Sequence, residues 1–298
     1  MVKLASIDLG SNSTRILIAE VIGEKFDVLE RVHVVTKMSE NIEQSKEISI
    51  QAYKRVDSAL RNFKKLLIKN DVDDVFVVGT AALRDANNAE KVIENIRKKY
   101  DFEVEVLSGH DEGITTSIGV MHFMKKVENF LIVDIGGRST EFIYEFGNRM
   151  ISESLNLGVV TLTEKYFSNL PTSSNLSDEA KLNIETELSK LNINNTKKVI
   201  GVSGTALSLA SIFLDQQKFN EEELHEVEID IDNVQEIKNR LLKMTEAEII
   251  TQFKGIDPKR AATIISGVFL LEQILNRYAN SIIISKNDIL EGLILKKY

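Results

Sequence analysis

One eight-residue pattern occurs twice in this chain, and it limits the possible folds more than any other feature. The first copy is Asp8-Leu9-Gly10-Ser11-Asn12-Ser13-Thr14-Arg15 and the second is Asp134-Ile135-Gly136-Gly137-Arg138-Ser139-Thr140-Glu141. Aligned without gaps, both read Asp, an aliphatic residue, Gly, two variable positions, Ser, Thr, and a charged residue of opposite sign. Each copy ends one apolar run (Leu4 to Ile7; Phe130 to Val133) and opens another (Ile16 to Val21; Phe142 to Phe146). That context is strand, tight turn, strand. Backbone amides and hydroxyls in such a turn can cradle phosphate oxygens, and the Asp can hold a divalent cation. Two such turns, one per half of the chain, predict two similar domains facing each other across a phosphate site.

The 298 residues suffice for one large or two medium domains. A hydrophobic fraction of 43% and a charged fraction of 28% are ordinary for a soluble protein. No apolar run approaches the ~18 residues of a membrane span, and the N-terminus enters a strand directly, with no secretory signal visible. A cytoplasmic protein without membrane association is therefore expected. Cysteine is absent, which excludes disulfides, thiolate metal sites and a Cys nucleophile. The four His (33, 110, 122 and 225) show no metal-ligand spacing. A net charge of −8 argues against general nucleic-acid binding. An anionic substrate then requires Lys and Arg concentrated at its site.

Residues 1 to 35 read as a three-strand meander that turns at Gly23-Glu24-Lys25. Apolar residues at Ile48, Ala52, Val56, Ala59, Leu60, Phe63, Leu66 and Leu67 have helical spacing. A strand at Val75 to Gly79, a helix at Ala89 to Tyr100, a strand at Phe102 to Leu107 and a helix from Asp111 to Met124 follow. The pattern restarts at residue 129 with a second meander ending at Arg149 to Leu155. Helices are expected at 161–167, 178–191, 206–213, 233–253 and 259–278, and strands at 198–202 and 281–285. Thr172 to Ser177 reads as a polar stretch, the Glu-rich run 221–228 as a solvated segment, and Asp288 as the cap of a final helix. The expected fold is α/β, with domains at 1–125 and 126–298 and the final helix free to pack back on the first.

With these residues in hand, the chain resembles the Ppx/GppA family of exopolyphosphatases and guanosine pentaphosphate phosphohydrolases. The resemblance covers essentially the whole chain. It is carried by both Asp-Gly turns, Gly79-Thr80-Ala81-Ala82-Leu83-Arg84-Asp85-Ala86, Ser108-Gly109-His110-Asp111-Glu112, and Gly201-Val202-Ser203-Gly204-Thr205-Ala206. The turns point only to the acetate kinase, Hsp70 and actin superfamily; the Thr-Ala-Ala-Leu-Arg-Asp-Ala and Ser-Gly-x-x-Glu segments are specific to the family. The resemblance implies two ribonuclease H-like (actin-like ATPase) domains around a central cleft, in the short form without an added C-terminal domain.

It also implies roles. Glu112 stands at the family's catalytic Glu; by itself it reads first as an acid stabilising a helix N-terminus, and the matching position reverses that preference. Asp134 and Glu141, with Asp8, would hold Mg²⁺ or another divalent cation. Ser11, Asn12, Ser13, Gly136, Gly137, Arg138, Ser139 and Thr140 would line the two phosphate turns. Arg84 suits phosphate oxygens, the competing reading being a salt bridge to Asp85 or another acid. Gly204 and Thr205 would meet the nucleotide side of a substrate. Three departures stand out, the first being His110, where the family usually has acids. Arg138 replaces a usual Gly, and it either adds a contact to a polyanion or crowds the turn. Ser285-Lys286-Asn287-Asp288-Ile289-Leu290-Glu291-Gly292 lacks the Gly and Arg usual before the Glu-Gly pair.

The leading expectation is a Mg²⁺-dependent hydrolase releasing the terminal phosphate from polyphosphate, guanosine pentaphosphate, or both, as a pppGpp phosphatase of the stringent response or an exopolyphosphatase. The alternatives are a non-catalytic guanosine tetra- or pentaphosphate sensor and a phosphotransferase of the same superfamily. A homodimer is one compatible assembly.

Overall fold

The computed structural model describes residues 2–298 apart from 24, 126, 148, 194, 195 and 197. Glu24 of the expected 23–25 turn and Lys126 at the expected domain boundary thus lie outside the described residues. The chain divides into two compact units, Met1–Val120 with Asp288–Tyr298, and Met121–Asn287.

The first unit holds β1 (Val2–Leu9), β2 (Ser13–Ile22), β3 (Lys25–Val35), α1 (Ile42–Ser45), α2 (Ile50–Lys69), β4 (Asp74–Gly79), α3 (Ala81–Asp85), α4 (Ala89–Tyr100), β5 (Val104–Val106) and most of α5 (Gly109–Phe123). Its sheet runs β3-β2-β1-β4-β5. β1, β2 and β3 pair antiparallel, and β4 and β5 add in parallel. Both faces are covered, which is why β1 and β2 read as unbroken apolar runs. Ile7, Leu9, Ile16 and Ile18 pack with Leu60, Phe63 and Ile96. The alternate residues Leu17, Ala19 and Val21 pack with Ile289, Leu290, Leu293 and Ile294 of the C-terminal helix. α2 starts where Ser49 accepts a hydrogen bond from Ala52 N at 3.1 Å.

The second unit holds β6 (Phe130–Ile135), β7 (Thr140–Phe146), β8 (Arg149–Leu155), α6 (Val159–Tyr166), α7 (Ser174–Leu188), β9 (Lys198–Val202), α8 (Ser203–Phe213), α9 (Glu221–Leu224), β10 (Glu228–Asp230), α10 (Ile231–Leu241), α11 (Glu246–Gln252), α12 (Ala261–Tyr278) and β11 (Ser281–Ile284). The final helix, α13 (Ile289–Lys297), is part of the first unit. The second sheet runs β10-β11-β9-β6-β7-β8. Read from β8 inward, it repeats the first: three antiparallel strands, then β9 and β11 in parallel. The fold is α/β with two ribonuclease H-like units. Nearly every residue of α12 is buried, and it packs on α6, α8 and α10. Among the described residues no helix is long and apolar enough to cross a membrane.

Several elements differ from the sequence expectation. The unit division falls at Val120, within α5, rather than at 125. α5 and α13 meet at glycines there: a Cβ on Gly119 would lie 2.0 Å from Asp288 O, and one on Gly292 would lie 1.8 Å from Thr115 O. The helix expected at 233–253 is two, because Thr245 and Glu248 form a capping box that starts a new helix. The polar stretch 172–177 already contains the first turn of α7. The Glu-rich run forms α9 and the edge strand β10. Residues 81–85, for which no element was expected, form the short helix α3.

Candidate active site

The two Asp-Gly turns have the same backbone. Gly10 N donates to Ser13 O at 3.0 Å and Gly136 N donates to Ser139 O at 2.9 Å. A Cβ on Gly10 would lie 2.7 Å from Ser13 O, so the closure needs glycine. Each turn is braced by the segment after the third strand of its meander. Thr36 N and Lys37 N donate to Asn12 O at 3.0 and 2.8 Å, and Ser39 N donates to Ser11 O at 2.9 Å. Val159 N donates to Gly136 O at 3.0 Å and Val160 N to Gly137 O at 2.7 Å. The matched threonines brace as well. Thr14 shares a hydrogen bond with the Thr36 hydroxyl at 3.0 Å, and Thr140 Oγ1 donates to Leu157 O. Thr140, expected to line the phosphate site, thus directs its hydroxyl proton into the brace.

In the first turn, Ser11 Oγ, Asn12 Oδ1, Ser13 Oγ and the neighbouring Ser39 Oγ are buried without a hydrogen-bond partner among the described residues. Buried polar atoms cost free energy unless something bonds them, and hydroxyls on a phosphate-type turn suit phosphate oxygens. Ser39 was missed in the sequence; only its brace to Ser11 identifies it. In the second turn, Ser139 and Arg138 are buried, at 3% and 8% exposure. Gly136 and Gly137 form the bend, with Gly158 seated against Gly137 and Arg138; a Cβ on Gly158 would lie 2.5 Å from Gly137 O.

The charged residues distinguish the turns. Asp8 and Arg15 are direct partners across β1 and β2, and Asp134 and Glu141 are direct partners across β6 and β7. Arg15 donates from Nε (3.0 Å) and Nη2 (2.7 Å) to Asp8 Oδ2, and from Nη1 to Asp288 Oδ2. Burial pushes the Asp8 carboxyl above its ordinary range despite the nearby guanidinium. Burial would raise Asp288 too, but Arg15 and Arg31 outweigh it and hold that carboxyl below the usual range. In the second turn two carboxylates sit side by side, at 6% and 1% exposure, and Glu141 Oε1 accepts from Ser154 Oγ at 2.8 Å. Mg²⁺ is usually held by one or two carboxylates together with waters and substrate phosphates. This pair fits that donor set. Among the described residues no cluster of three or more His, Cys, Asp or Glu could hold an ion.

Glu112 lies in the first turn of α5, almost buried. Arg84 Nη1 donates to Glu112 Oε2 at 2.6 Å and to Leu107 O at 2.9 Å. The acid that Arg84 meets is therefore Glu112, and the two expected site residues are brought together within the first unit. Gly204 and Thr205 are in the first turn of α8 rather than in a loop before it. Ser203, which opens that helix, has φ +62°, a left-handed conformation that favours glycine. Arg260 was also missed. A Cβ on Gly204 would lie 1.7 Å from its Nη1, so its guanidinium rests on the Gly204 α-carbon. The available signal was Lys259-Arg260 at a helix start, where the helix dipole disfavours cations.

A family model described as the Ppx/GppA phosphatase family matches residues 17–298. The bifunctional 3-dehydroquinate synthase/phosphatase of Fusobacterium nucleatum is 29% identical over 98% of this chain; the chain spans 46% of that relative's length. Among solved structures, an exopolyphosphatase-like protein superposes with a TM-score of 0.93 at 23% identity, covering 99% of this chain and 97% of its own. The Aquifex aeolicus Ppx/GppA family member gives 0.85 at 24% identity with the same coverage, and these two likenesses establish the fold. On the family match over nearly its whole length, the chain belongs to the Ppx/GppA phosphatase family.

Proposed function

We propose that the chain is a Mg²⁺-dependent phosphoanhydride hydrolase that releases the terminal phosphate from inorganic polyphosphate or guanosine pentaphosphate. The observation that carries this reading is the side-by-side pair Asp134 and Glu141 at the second turn. A polyphosphate substrate brings both the negative charge and the oxygen ligands that such a pair needs to retain a cation. The phosphatase named in the Fusobacterium nucleatum relative supports the same class of reaction.

Phosphate oxygens would be bound by the hydroxyls of Ser11, Ser13, Ser39 and Ser139 and by the amides of Gly136 and Gly137. Asp134 and Glu141 would hold Mg²⁺, which supplies charge neutralisation to the reacting phosphates. Glu112 would orient the attacking water and accept its proton late, because a loose transition state requires positioning more than a strong base. Arg84 fixes the Glu112 carboxylate through Nη1. Among the described residues both its hydrogen bonds leave from that atom, so Nε and Nη2 can take a phosphate oxygen. Arg138 would add a cation to the second turn, and Gly204 and Thr205, with Arg260, would meet the distal end of the substrate.

The test is phosphate release with Mg²⁺ from long-chain polyphosphate, guanosine pentaphosphate and ATP in parallel, for the wild type and Glu112→Ala. Release from either of the first two, reduced about 10²- to 10⁴-fold in the variant, is expected. Nucleotide binding without release would move the chain to the sensor reading. ATP turnover that requires an acceptor would make it a phosphotransferase.

A further inference from the structure

Asp288 is the first residue of the C-terminal segment that belongs to the first unit. Its carboxylate has two tasks. Oδ1 accepts from Leu290 N at 3.0 Å and caps α13, while Oδ2 accepts from Arg15 Nη1. Glu291 closes the capping box by accepting from Asp288 N at 3.0 Å, and its other oxygen accepts from Arg31 Nη2. Ser6 Oγ donates to Leu290 O at 2.8 Å. The start of α13 is therefore tied to β1, β2 and β3 at three points, and Asp288 is placed too firmly to follow a ligand.

Arg15 is two residues beyond Ser13 on β2. Alternate residues of a strand share a face, so Arg15 lies on the face of the Ser13 side chain, beside the unpartnered Ser11, Asn12 and Ser13 atoms. A guanidinium in that place would ordinarily bind an anion. Here its fork is divided between two carboxyl groups, Asp8 and Asp288. The first turn is left to receive phosphate with the hydroxyls of Ser11 and Ser13, beside an Asp8 carboxyl whose Oδ1 is also buried without a partner among the described residues.

We propose that Asp288 is a specificity-determining residue that withholds Arg15 from the anion site of the first turn. The proposal rests on the reading of that turn as a phosphate site. It predicts that removing the Asp288 carboxylate improves anion binding, a direction that damage to the fold does not produce.

The experiment is calorimetric titration of inorganic tripolyphosphate without turnover, at several salt concentrations. It uses the full chain as wild type, Asp288→Asn, Asp288→Gly, and Asp288→Gly combined with Arg15→Gln. Asn and Gly are both acceptable helix N-caps, so α13 is retained. Asp288→Gly is expected to tighten binding roughly three- to fivefold, a modest gain because Asp8 still holds two nitrogens of the Arg15 guanidinium, with a steeper salt dependence. Asp288→Asn should give a smaller gain, and the added Arg15→Gln should abolish it. Wild-type binding with no gain in either single variant, or a gain that survives Arg15→Gln, would overturn the assignment of Asp288 alone. No binding by any chain would overturn both it and the phosphate reading of the turn.

Discussion

The two Asp-Gly turns are the same piece of backbone put to different electrostatic use. Both close with a Gly amide on a Ser carbonyl, and both are braced from the end of a third strand. Both place an Asp opposite the residue seven positions on. In the first turn that residue is Arg15, which holds Asp8 Oδ2, and the buried atoms without a partner among the described residues are Asp8 Oδ1 and those of Ser11, Asn12 and Ser13. In the second it is Glu141, and two acids are buried side by side. The backbone repeats, and one cross-strand position decides whether the Asp faces a guanidinium or a second carboxyl group.

The largest effect should come from removing the internal cation of the first turn. Arg15→Gln would leave Asp8 and Asp288 buried without their shared partner, a loss of about 3–5 kcal/mol for a broken buried pair. Arg15 is 16% exposed, so the lower end is expected. Glu141→Gln, at the matched position, removes no shared cation and keeps an oxygen for Ser154, so it should cost less. Urea unfolding of both variants checks this, and equal losses would break the distinction between the turns.

Next in size is the effect of substituting Gly158. A Cβ there meets Gly137 and Arg138 backbone, which cannot swing away. Gly158→Ala should cost about 1–3 kcal/mol and lower phosphate release through the second turn. A smaller loss in the same unfolding assay would mean that the brace is softer than its counterpart at 36–39.

The third prediction concerns pH. The Asp288 carboxyl is held below its ordinary value of 3.8, so the folded state binds that proton less readily than the unfolded chain. Its stabilisation is present above the unfolded value and is lost as pH falls through the folded one. The stability difference between wild type and Asp288→Asn should therefore be steady from pH 7 to about 5 and shrink below 3.8. A difference independent of pH would show that Asp288 acts as a cap only.

Much of this was legible in the sequence, because the motif repeats where strand, turn and strand repeat. The meanders, the positions of Asp8, Asp134 and Glu141, and the helix carrying Glu112 follow from local pattern. What stayed hidden depends on contacts distant in sequence. Arg15 meets Asp288 and Arg31 meets Glu291 across more than two-thirds of the chain, and no periodicity signals that. The Ser285–Gly292 departure was visible as a missing Gly and Arg, but its consequence needed the ion pair. Ser39 and Arg260 are site neighbours only through backbone contact and close packing. The break at Thr245 was hidden because apolar spacing continues across it, whereas its capping box was readable.

The most direct measurement is the Mg²⁺ concentration dependence of phosphate release from the preferred substrate, for wild type, Glu141→Gln and Asp8→Asn. The expected result is a Mg²⁺ requirement raised at least about tenfold in Glu141→Gln, as when a site loses a ligand or its support, with Asp8→Asn close to wild type in that requirement. An equal shift in both variants, or none in Glu141→Gln, would contradict the division of one turn for phosphate and the other for the cation.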